Sequence, residues 1–277
     1  MRFTKMHGLG NDYVYVDGAT ESVDDPPRLA RLLSDRHTGI GSDGLIIVRP
    51  STVADVCMEM YNADGSRGRM CGNGIRCVAK WAVERGLTKG PVVRVETDSG
   101  VMTCECRVER GLVRTVRVDM GKPSLVVADL PCTILADRLI DYPLVLEGGT
   151  FETTCVSMGN PHAVVFTEHL HLVDLVAVGP LFERAAQFPK GMNVHFVRVD
   201  SKDHVTVRTW ERGSGVTRAC GTGACAVCVA GALTGRTHRR IRAELPGGEL
   251  EIEWSANDNV YKTGPAVQLY SGDWNPR

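Results

Sequence analysis

Short apolar runs, and short stretches in which hydrophobic and polar residues alternate, recur along the chain, and both patterns are typical of strands. The pattern predicts strands at residues 13–17, 45–49, 56–61, 92–97, 101–108, 113–119, 163–167, 194–199, 205–210, 241–245 and 249–254. Polar, helix-compatible segments lie at 27–36 and 180–187. Many strands with few helices indicate the α+β class.

The chain contains an internal repeat with an offset of 149 residues, because residues 69–74 read RMCGNG and residues 218–223 read RACGTG. The same offset maps Gly10 and Asn11 onto Gly159 and Asn160. The retained identities include polar turns and both cysteines, and not only core positions. Two copies of one structural unit, and therefore two pseudo-symmetric domains, explain this pattern.

Each copy of the R-x-C-G-x-G motif is followed by an apolar segment that ends at a glycine, Gly86 in the first copy and Gly235 in the second. Glycine is the residue preferred just after a helix C-terminus, so each motif is expected to open a helix that stops there. The second helix contains ACAVCVAGAL, which is apolar on every side. It should therefore be buried all round.

Cys71 and Cys220 lie at the starts of these two predicted helices. Unpaired N–H groups and the helix dipole favour negative charge there, so we expect each thiolate to be stabilised and each thiol pKa to fall. We expect both thiols to serve one site, where first-turn amides hold a carboxylate. One thiolate then removes an α-proton while the other thiol protonates the opposite face. This chemistry inverts a stereocentre without a cofactor.

Charge and composition narrow the classes of protein further. Lys and Arg number 32 against 33 Asp and Glu, so the chain has no basic surplus for nucleic acid or an anionic membrane. The first residues lack the apolar core of a signal peptide, and the longest apolar run, 224–233, is half of the ~20 residues that a membrane span needs. We therefore expect a soluble cytoplasmic protein with no nucleic-acid or membrane partner.

Ten cysteines raise the possibilities of a disulfide framework and of a metal site. Without a secretion signal, a disulfide scaffold is not expected. Cys225 and Cys228 have metal-ligand spacing, but no second such pair completes a tetrahedral set. We expect no metal, and we interpret most of these cysteines as small buried hydrophobic residues.

The segments FTKMHGLGNDYVYVD, NADGSRGRMCGNGIRC, SMGNPHAVVF and ERGSGVTRACGTGACA resemble those of diaminopimelate epimerases in order and spacing, over essentially the whole chain. The resemblance implies interconversion of LL- and meso-2,6-diaminopimelate by two cysteines, without pyridoxal phosphate or metal, in lysine and peptidoglycan precursor biosynthesis. It also implies a homodimer. Each of the two domains, 1–120 completed by 265–277 and 121–264, would be a barrel-like sheet wrapped around a central helix.

The resemblance also assigns site residues. Cys71 and Cys220 would be the acid/base thiols, with His162 and Glu211 beside them to set their protonation. The carboxylate-binding amides would be those of Gly72, Asn73, Gly221 and Thr222. The other polar groups of the substrate would be bound by Asn11, Asn62, Asn160, Asn193, Glu211 and Arg212. The chain departs from the family's more usual residues at Gly44, Val216 and Arg218, which leaves fine substrate selectivity open.

Two other functions remain open on the sequence. Proline racemases and hydroxyproline epimerases also use paired cysteines, but their substrates lack a distal amino-acid group. The residues suited to bind such a group are Asn62, Asn193, Glu211 and Arg212. A thiol redox or ligand-binding protein, with a switchable disulfide between Cys71 and Cys220, is the alternative from another class. The sequence also leaves open which cysteine serves which face of the substrate.

Overall fold

The structure, a computed structural model, describes residues 1–275. Its strands are β1 (Arg2–Gly8), β2 (Asn11–Asp17), β3 (Gly44–Arg49), β4 (Val56–Asn62), β5 (Arg67–Gly68), β6 (Val92–Thr97), β7 (Gly100–Glu109), β8 (Leu112–Asp119), β9 (Tyr142–Leu146), β10 (Gly149–Ser157), β11 (Pro161–Phe166), β12 (Asn193–Ser201), β13 (His204–Glu211), β14 (Gly215–Thr217), β15 (Arg240–Leu245), β16 (Gly248–Trp254), β17 (Val260–Pro265) and β18 (Val267–Asp273). The α-helices are α1 (Pro26–Ser34), α2 (Gly74–Glu84), α3 (Leu175–Glu183) and α4 (Gly221–Leu233). The predicted α+β, strand-rich class is confirmed.

The chain divides into two compact units. The first comprises Met1–Asp119 with the described residues from Thr263 onward, and the second comprises Met120–Lys262. Pro276 and Arg277, which fall within the range expected to complete the first domain, lie outside the described residues. The chain leaves the second unit within β17, and β18 then pairs antiparallel with β1.

In the first unit the strands pack around α2. This helix contacts β1, β2, β4, β6, β7 and β8, and nearly all of its residues are buried. It ends where Gly86 adopts a φ of +70°, which glycine adopts without steric cost. The amides of Gly86 and Leu87 then bond back to the carbonyls of Val83 and Ala82, which satisfies the last turn.

In the second unit α4 takes the corresponding place. It contacts β10, β11, β12, β15 and β16, and every residue from Gly223 to Gly231 is buried, as its all-apolar sequence predicts. Gly235 follows its C-terminus with a φ of +67°. With 13 residues α4 is the longest of the four helices. None of the helices within residues 1–275 is both long enough and apolar enough to cross a membrane.

The 149-residue offset of the sequence repeat also relates the pairing of strands within each unit. Val14 pairs with Leu45 in the parallel β2–β3 ladder, and Ala163 pairs with Val194 in the parallel β11–β12 ladder. Leu45 pairs with Tyr61, and Val194 pairs with Trp210. Because the registers correspond residue for residue, equivalent positions in the two copies occupy equivalent places in their units.

The helix predicted at 180–187 is wrong in position, because α3 runs from Leu175 to Glu183 with Pro180 inside it. Pro180 lies in the interior of the helix and not in its first turn. The start is set instead by Asp174, whose carboxylate accepts from the amides of Val176 and Ala177 at 3.0 and 3.2 Å.

Candidate active site

Cys71 lies where the hydrogen bonding of α2 begins. Its carbonyl accepts from the Ile75 amide at 2.9 Å, and its Sγ accepts from the Gly74 amide at 3.3 Å. The turn through Gly72 and Asn73 leads into the helix, and first-turn N–H groups have no carbonyl partner within a helix. The cysteine and these amides therefore lie together at a helix start, as the sequence predicts.

The half-buried Cys71 thiol donates to Asn11 Oδ1 at 3.2 Å. Asn11 Nδ2 in turn donates to Asp43 Oδ2 at 2.8 Å. Because a carboxylate only accepts, Asp43 fixes the amide of Asn11 with its oxygen toward the thiol. The structure thus brings the predicted residues Asn11 and Cys71 together.

Tyr13 is a neighbour of Cys71 that sequence reasoning missed. Its side chain is buried. This burial raises the pKa of the hydroxyl, and the nearby Cys71 raises it further. Gly44 makes room for it, since a Cβ at Gly44 would lie 2.8 Å from Tyr13 Cε1 and would overlap the Tyr61 carbonyl oxygen. The repeat offered a signal, because Tyr13 lies at the position of His162 in the other copy.

Arg76, also missed, is fully buried in the first turn of α2. Its Nη1 donates to the Gly72 carbonyl and to Asn73 Oδ1, both at 3.1 Å, and its Nε donates to the Pro265 carbonyl at 3.0 Å. A buried guanidinium therefore orients the two residues whose amides were predicted to hold a carboxylate.

Cys220 stands directly before α4, and its carbonyl accepts from the Ala224 amide at 3.0 Å. Its Sγ lies 3.7 Å from Thr222 Oγ1. Gly221 and Thr222 open the helix, so their amides belong to the first turn. The structure thus reproduces at Cys220 the arrangement seen at Cys71, in which a thiol adjoins first-turn amides.

The expected fall in pKa is wrong for Cys220. Burial raises the pKa of this thiol well above its usual value, and the neighbouring Glu211 carboxylate raises it further. Only 3% of the residue is exposed, so little water solvates a thiolate there. The helix start favours negative charge, but at Cys220 desolvation and the like charge outweigh it.

Glu211 is the acidic group of this site. Its Oε1 accepts from Thr217 Oγ1 at 2.5 Å. Burial raises the pKa of Glu211, although hydrogen bonds from Thr217 and Cys220 act in the opposite direction. The structure therefore places the predicted Glu211 in contact with Cys220, where each group affects the charge of the other.

His162 is fully buried and lies in a line of hydrogen bonds with three other side chains. Its Nε2 is 2.9 Å from Asn160 Oδ1, and its Nδ1 is 2.9 Å from His195 Nε2. His195 Nδ1 is 2.9 Å from Thr209 Oγ1. Burial lowers the pKa of His162, and the nearby His195 and Arg212 lower it further. Burial lowers the pKa of His195 to about 3.

His195 was missed because, in sequence, it is one polar residue within a predicted strand. Among the residues described, His162, His195 and Cys220 are a set of three metal-binding side chains, each with a ligand atom within 4.8 Å of the others. Both imidazoles use both ring nitrogens in hydrogen bonds. A metal ion would have to displace those partners.

The remaining predicted residues contact backbone or lie in turns. Asn193 is buried, donates to the Pro161 carbonyl at 2.7 Å and accepts from the Arg212 amide at 2.9 Å. Arg212 Nη1 donates to the Lys190 carbonyl at 2.8 Å. Asn62 donates to Ser66 Oγ at 2.9 Å in the turn after β4. Their roles toward a substrate stay predictions.

Solved structures with the same fold include racemases and epimerases. A probable proline racemase from Agrobacterium radiobacter is 18% identical, with a TM-score of 0.70, covering 99% of this chain and 92% of that one. A hydroxyproline epimerase from Agrobacterium vitis is also 18% identical, with a TM-score of 0.64, covering 98% and 90%. At this identity the likeness establishes the fold alone.

Closer relatives define the class as an epimerase, a kind of isomerase. Proteins named diaminopimelate epimerase include those of Acetivibrio thermocellus, 48% identical with 99% of this chain and 98% of the relative covered, and Pelotomaculum thermopropionicum, 49% identical with 99% of both covered. The relative from Methanococcus maripaludis is 46% identical, again with 99% of both chains covered.

The family model described as diaminopimelate epimerase matches residues 3–126 and 154–269. The chain therefore belongs to the diaminopimelate epimerase family, which confirms the resemblance found in its motifs.

Proposed function

We propose that this epimerase interconverts LL-2,6-diaminopimelate and meso-2,6-diaminopimelate by two-base proton transfer. The observation that carries the proposal is the recurrence of one arrangement in both units, a cysteine at the start of a buried helix beside first-turn amides. A substrate and a product that are mirror images at the reacting carbon call for one proton-carrying group on each face. Cys71 and Cys220 are the two groups proposed.

In each turnover one sulfur, as the thiolate, takes the α-proton of the substrate. The electron pair left on carbon spreads into the carboxylate, and the amides of Gly72, Asn73, Gly221 and Thr222 stabilise the added negative charge. The other sulfur, as the thiol, gives its proton to the opposite face. The two sulfurs thereby exchange protonation states, and no other reactant is consumed.

Polar residues away from the thiols would bind the rest of the substrate. Asn11 and Asn160 adjoin the two sites of proton transfer, and the guanidinium of Arg212 suits the distal carboxylate. The other proposed contacts are Asn62, Asn193 and Glu211. The Asn193 side chain already holds the Arg212 backbone, which supports a role in placing that guanidinium.

We further propose that the two compact units are the two halves of the epimerase, and that the enzyme is a cytoplasmic homodimer acting without a cofactor. Its product would serve lysine and peptidoglycan precursor biosynthesis. The near-neutral composition and the absence of a membrane-spanning helix among residues 1–275 are in keeping with this setting. Sedimentation of the purified protein tests the dimer.

The activity is tested by proton NMR of the reduced protein with LL-diaminopimelate in D2O containing a chelator. The expected result is the meso isomer with deuterium at the inverted carbon. L-Proline and trans-4-hydroxy-L-proline serve as comparison substrates. Exchange of either of these without exchange of diaminopimelate would overturn the substrate proposed, and exchange of none of the three would overturn the proposal as a whole.

A further inference from the structure

A continuous line of four polar side chains runs through the interior of the second unit. Thr209, His195 and His162 are buried, and the line ends at Asn160, which is half-buried. Each of its three hydrogen bonds is 2.9 Å long. A buried line with every link formed at good distance fixes the orientation of its members.

The end of the line determines where its protons lie. Burial keeps both imidazoles neutral, so each has one N–H and one acceptor nitrogen. Asn160 Oδ1 only accepts, so the proton of His162 lies on Nε2. His162 Nδ1 is then the acceptor for His195 Nε2–H, and His195 Nδ1 is the acceptor for the Thr209 hydroxyl.

We propose that His195 is a positioning residue which, with Thr209, holds His162 as a donor to Asn160 and so turns the Asn160 amide NH2 toward a substrate carboxylate. This inference rests on the proposed function for the identity of the carboxylate. The oxygen of Asn160 is occupied by His162, and its Nδ2 has no protein partner among the described residues. Its two N–H groups suit a carboxylate oxygen.

The same arrangement engages both ring nitrogens of His162. With Nδ1 bonded to His195 and Nε2–H bonded to Asn160, the imidazole has no free lone pair to accept the Cys220 proton. Glu211, which bonds to Cys220, is then the acidic partner of that thiol. His162 thus orients a binding group.

The first unit orients its asparagine by other means. The repeat positions of His195 and Thr209 hold Ile46 and Met60, which are buried and apolar. There Asp43 fixes Asn11 with the oxygen toward Cys71. The imidazole line is thus a feature of the second copy alone. It engages the oxygen of Asn160 and leaves the NH2 group for a ligand, whereas Asn11 directs its oxygen toward Cys71.

The direct test is long-range proton–nitrogen NMR of histidine tautomers in the whole protein without substrate. The expected result is His162 with its proton on Nε2, and the same tautomer for His195. His195→Gln retains a donor toward His162 Nδ1 and should preserve the tautomer of His162. His195→Ile, which introduces the residue type of the first unit, should leave that tautomer mixed. A proton on His162 Nδ1 in the wild type would overturn the inference.

Kinetics with diaminopimelate provide the second readout. His195→Ile and Thr209→Val should raise KM about tenfold, equivalent to one hydrogen bond, with little change in kcat, because Asn160 binds the substrate before and during proton transfer. His195→Gln should restore KM, and His204→Gln, a partly exposed histidine in β13, is the matched control.

A loss confined to kcat, or equal KM values for His195→Gln and His195→Ile, would also overturn the inference. If His195→Ile does not fold, the comparison of Thr209→Val with the wild type decides the matter. The tautomer measurement requires no substrate, so its failure is separate from a failure of the proposed reaction.

Discussion

The two cysteine-bearing helix starts share a backbone and differ in the side chains around the thiol. In each, the carbonyl of the cysteine accepts the first helical hydrogen bond, from Ile75 or Ala224. Cys71 is half-buried beside neutral Asn11 and Tyr13, whereas Cys220 is buried beside an acid, Glu211. The shared backbone supplies first-turn amides beside both thiols.

The helices themselves also differ at an equivalent position. Arg76 of α2 is a buried cation, and its counterpart 149 residues on is Cys225 of α4. A thiolate at Cys220 is opposed by the neighbouring Glu211 carboxylate. Equal backbones therefore stand in unequal surroundings in the two units.

The largest expected effect tests what the two thiols share. Cys71→Ala and Cys220→Ala should each lower kcat/KM by about a thousandfold or more, because each removes one of the two proton carriers of the proposed mechanism. Circular dichroism should show an unchanged fold, and Cys57→Ala, a half-buried cysteine of β4, is the control. Full activity in either single variant contradicts the two-base account.

The second-largest effect concerns the space around one glycine in the first turn of each helix. A Cβ at Gly223 would lie 2.6 Å from Nε2 of His195, a ring that hydrogen bonds hold in place. A Cβ at Gly74 would lie 2.7 Å from Cδ1 of Ile46, which is the flexible end of that side chain. We expect Gly223→Ala to lower the free energy of unfolding by about 3 kcal/mol and Gly74→Ala by about 1 kcal/mol. Urea denaturation measures both.

A double variant isolates the cause of this difference. Gly223→Ala should cost less in a His195→Ile background than in the wild type, because the ring that it meets is gone. Equal costs in the two backgrounds would show that the imidazole is not what restricts this position.

Buried histidines occur in the second unit and, among the described residues, not in the first. The pKa values of His162 and His195 are lowered on folding, so below about 6.5 the unfolded chain binds protons that the folded chain does not. The free energy of unfolding should therefore decrease as the pH is lowered below about 6.5, by up to about 1.4 kcal/mol per pH unit for each histidine.

Urea denaturation between pH 7 and pH 5 measures this slope. His195→Gln should remove the share of one histidine, and His204→Gln should change it little. An identical slope for the wild type and His195→Gln would contradict the burial of a neutral His195.

The smallest effect concerns the charge beside Cys220. Burial and the Glu211 carboxylate raise the pKa of this thiol, so Glu211→Gln should lower it and speed alkylation of Cys220 by iodoacetamide at pH 8 about tenfold. Peptide mass spectrometry follows Cys71 in the same sample as an internal control. A Cys220 rate that stays constant or falls would rule out Glu211 as the cause.

Much of the fold was predictable from the sequence because strands and apolar helices have local patterns. The position of α3 was also predictable, from the capping residue that the repeat places before α1 and α3. Asp25 caps α1, and Asp174, 149 residues later, caps α3. Where a chain repeats, the placement of an element in one copy is better information than a single residue in the other.

The site was only partly predictable. Cys71 and Cys220 belong to a motif, but Tyr13 and His195 lie far from the motif in sequence. Only the repeat, which aligns Tyr13 with His162, pointed to one of them. The raised pKa of Cys220 had the same origin, since the dipole of α4 is visible in sequence and the burial beside Glu211 is not.

The most direct test of the central claim, that the two thiols act on opposite faces, is the position of deuterium in the first few per cent of conversion of LL-diaminopimelate in D2O. Two-base transfer should give a meso product with deuterium at its inverted carbon, because the second thiol carries a proton from the solvent. Recovered LL substrate should retain its α-proton, because the first sulfur can return that proton only to the face from which it came. Early product that retains the substrate proton would indicate one base and contradict the account.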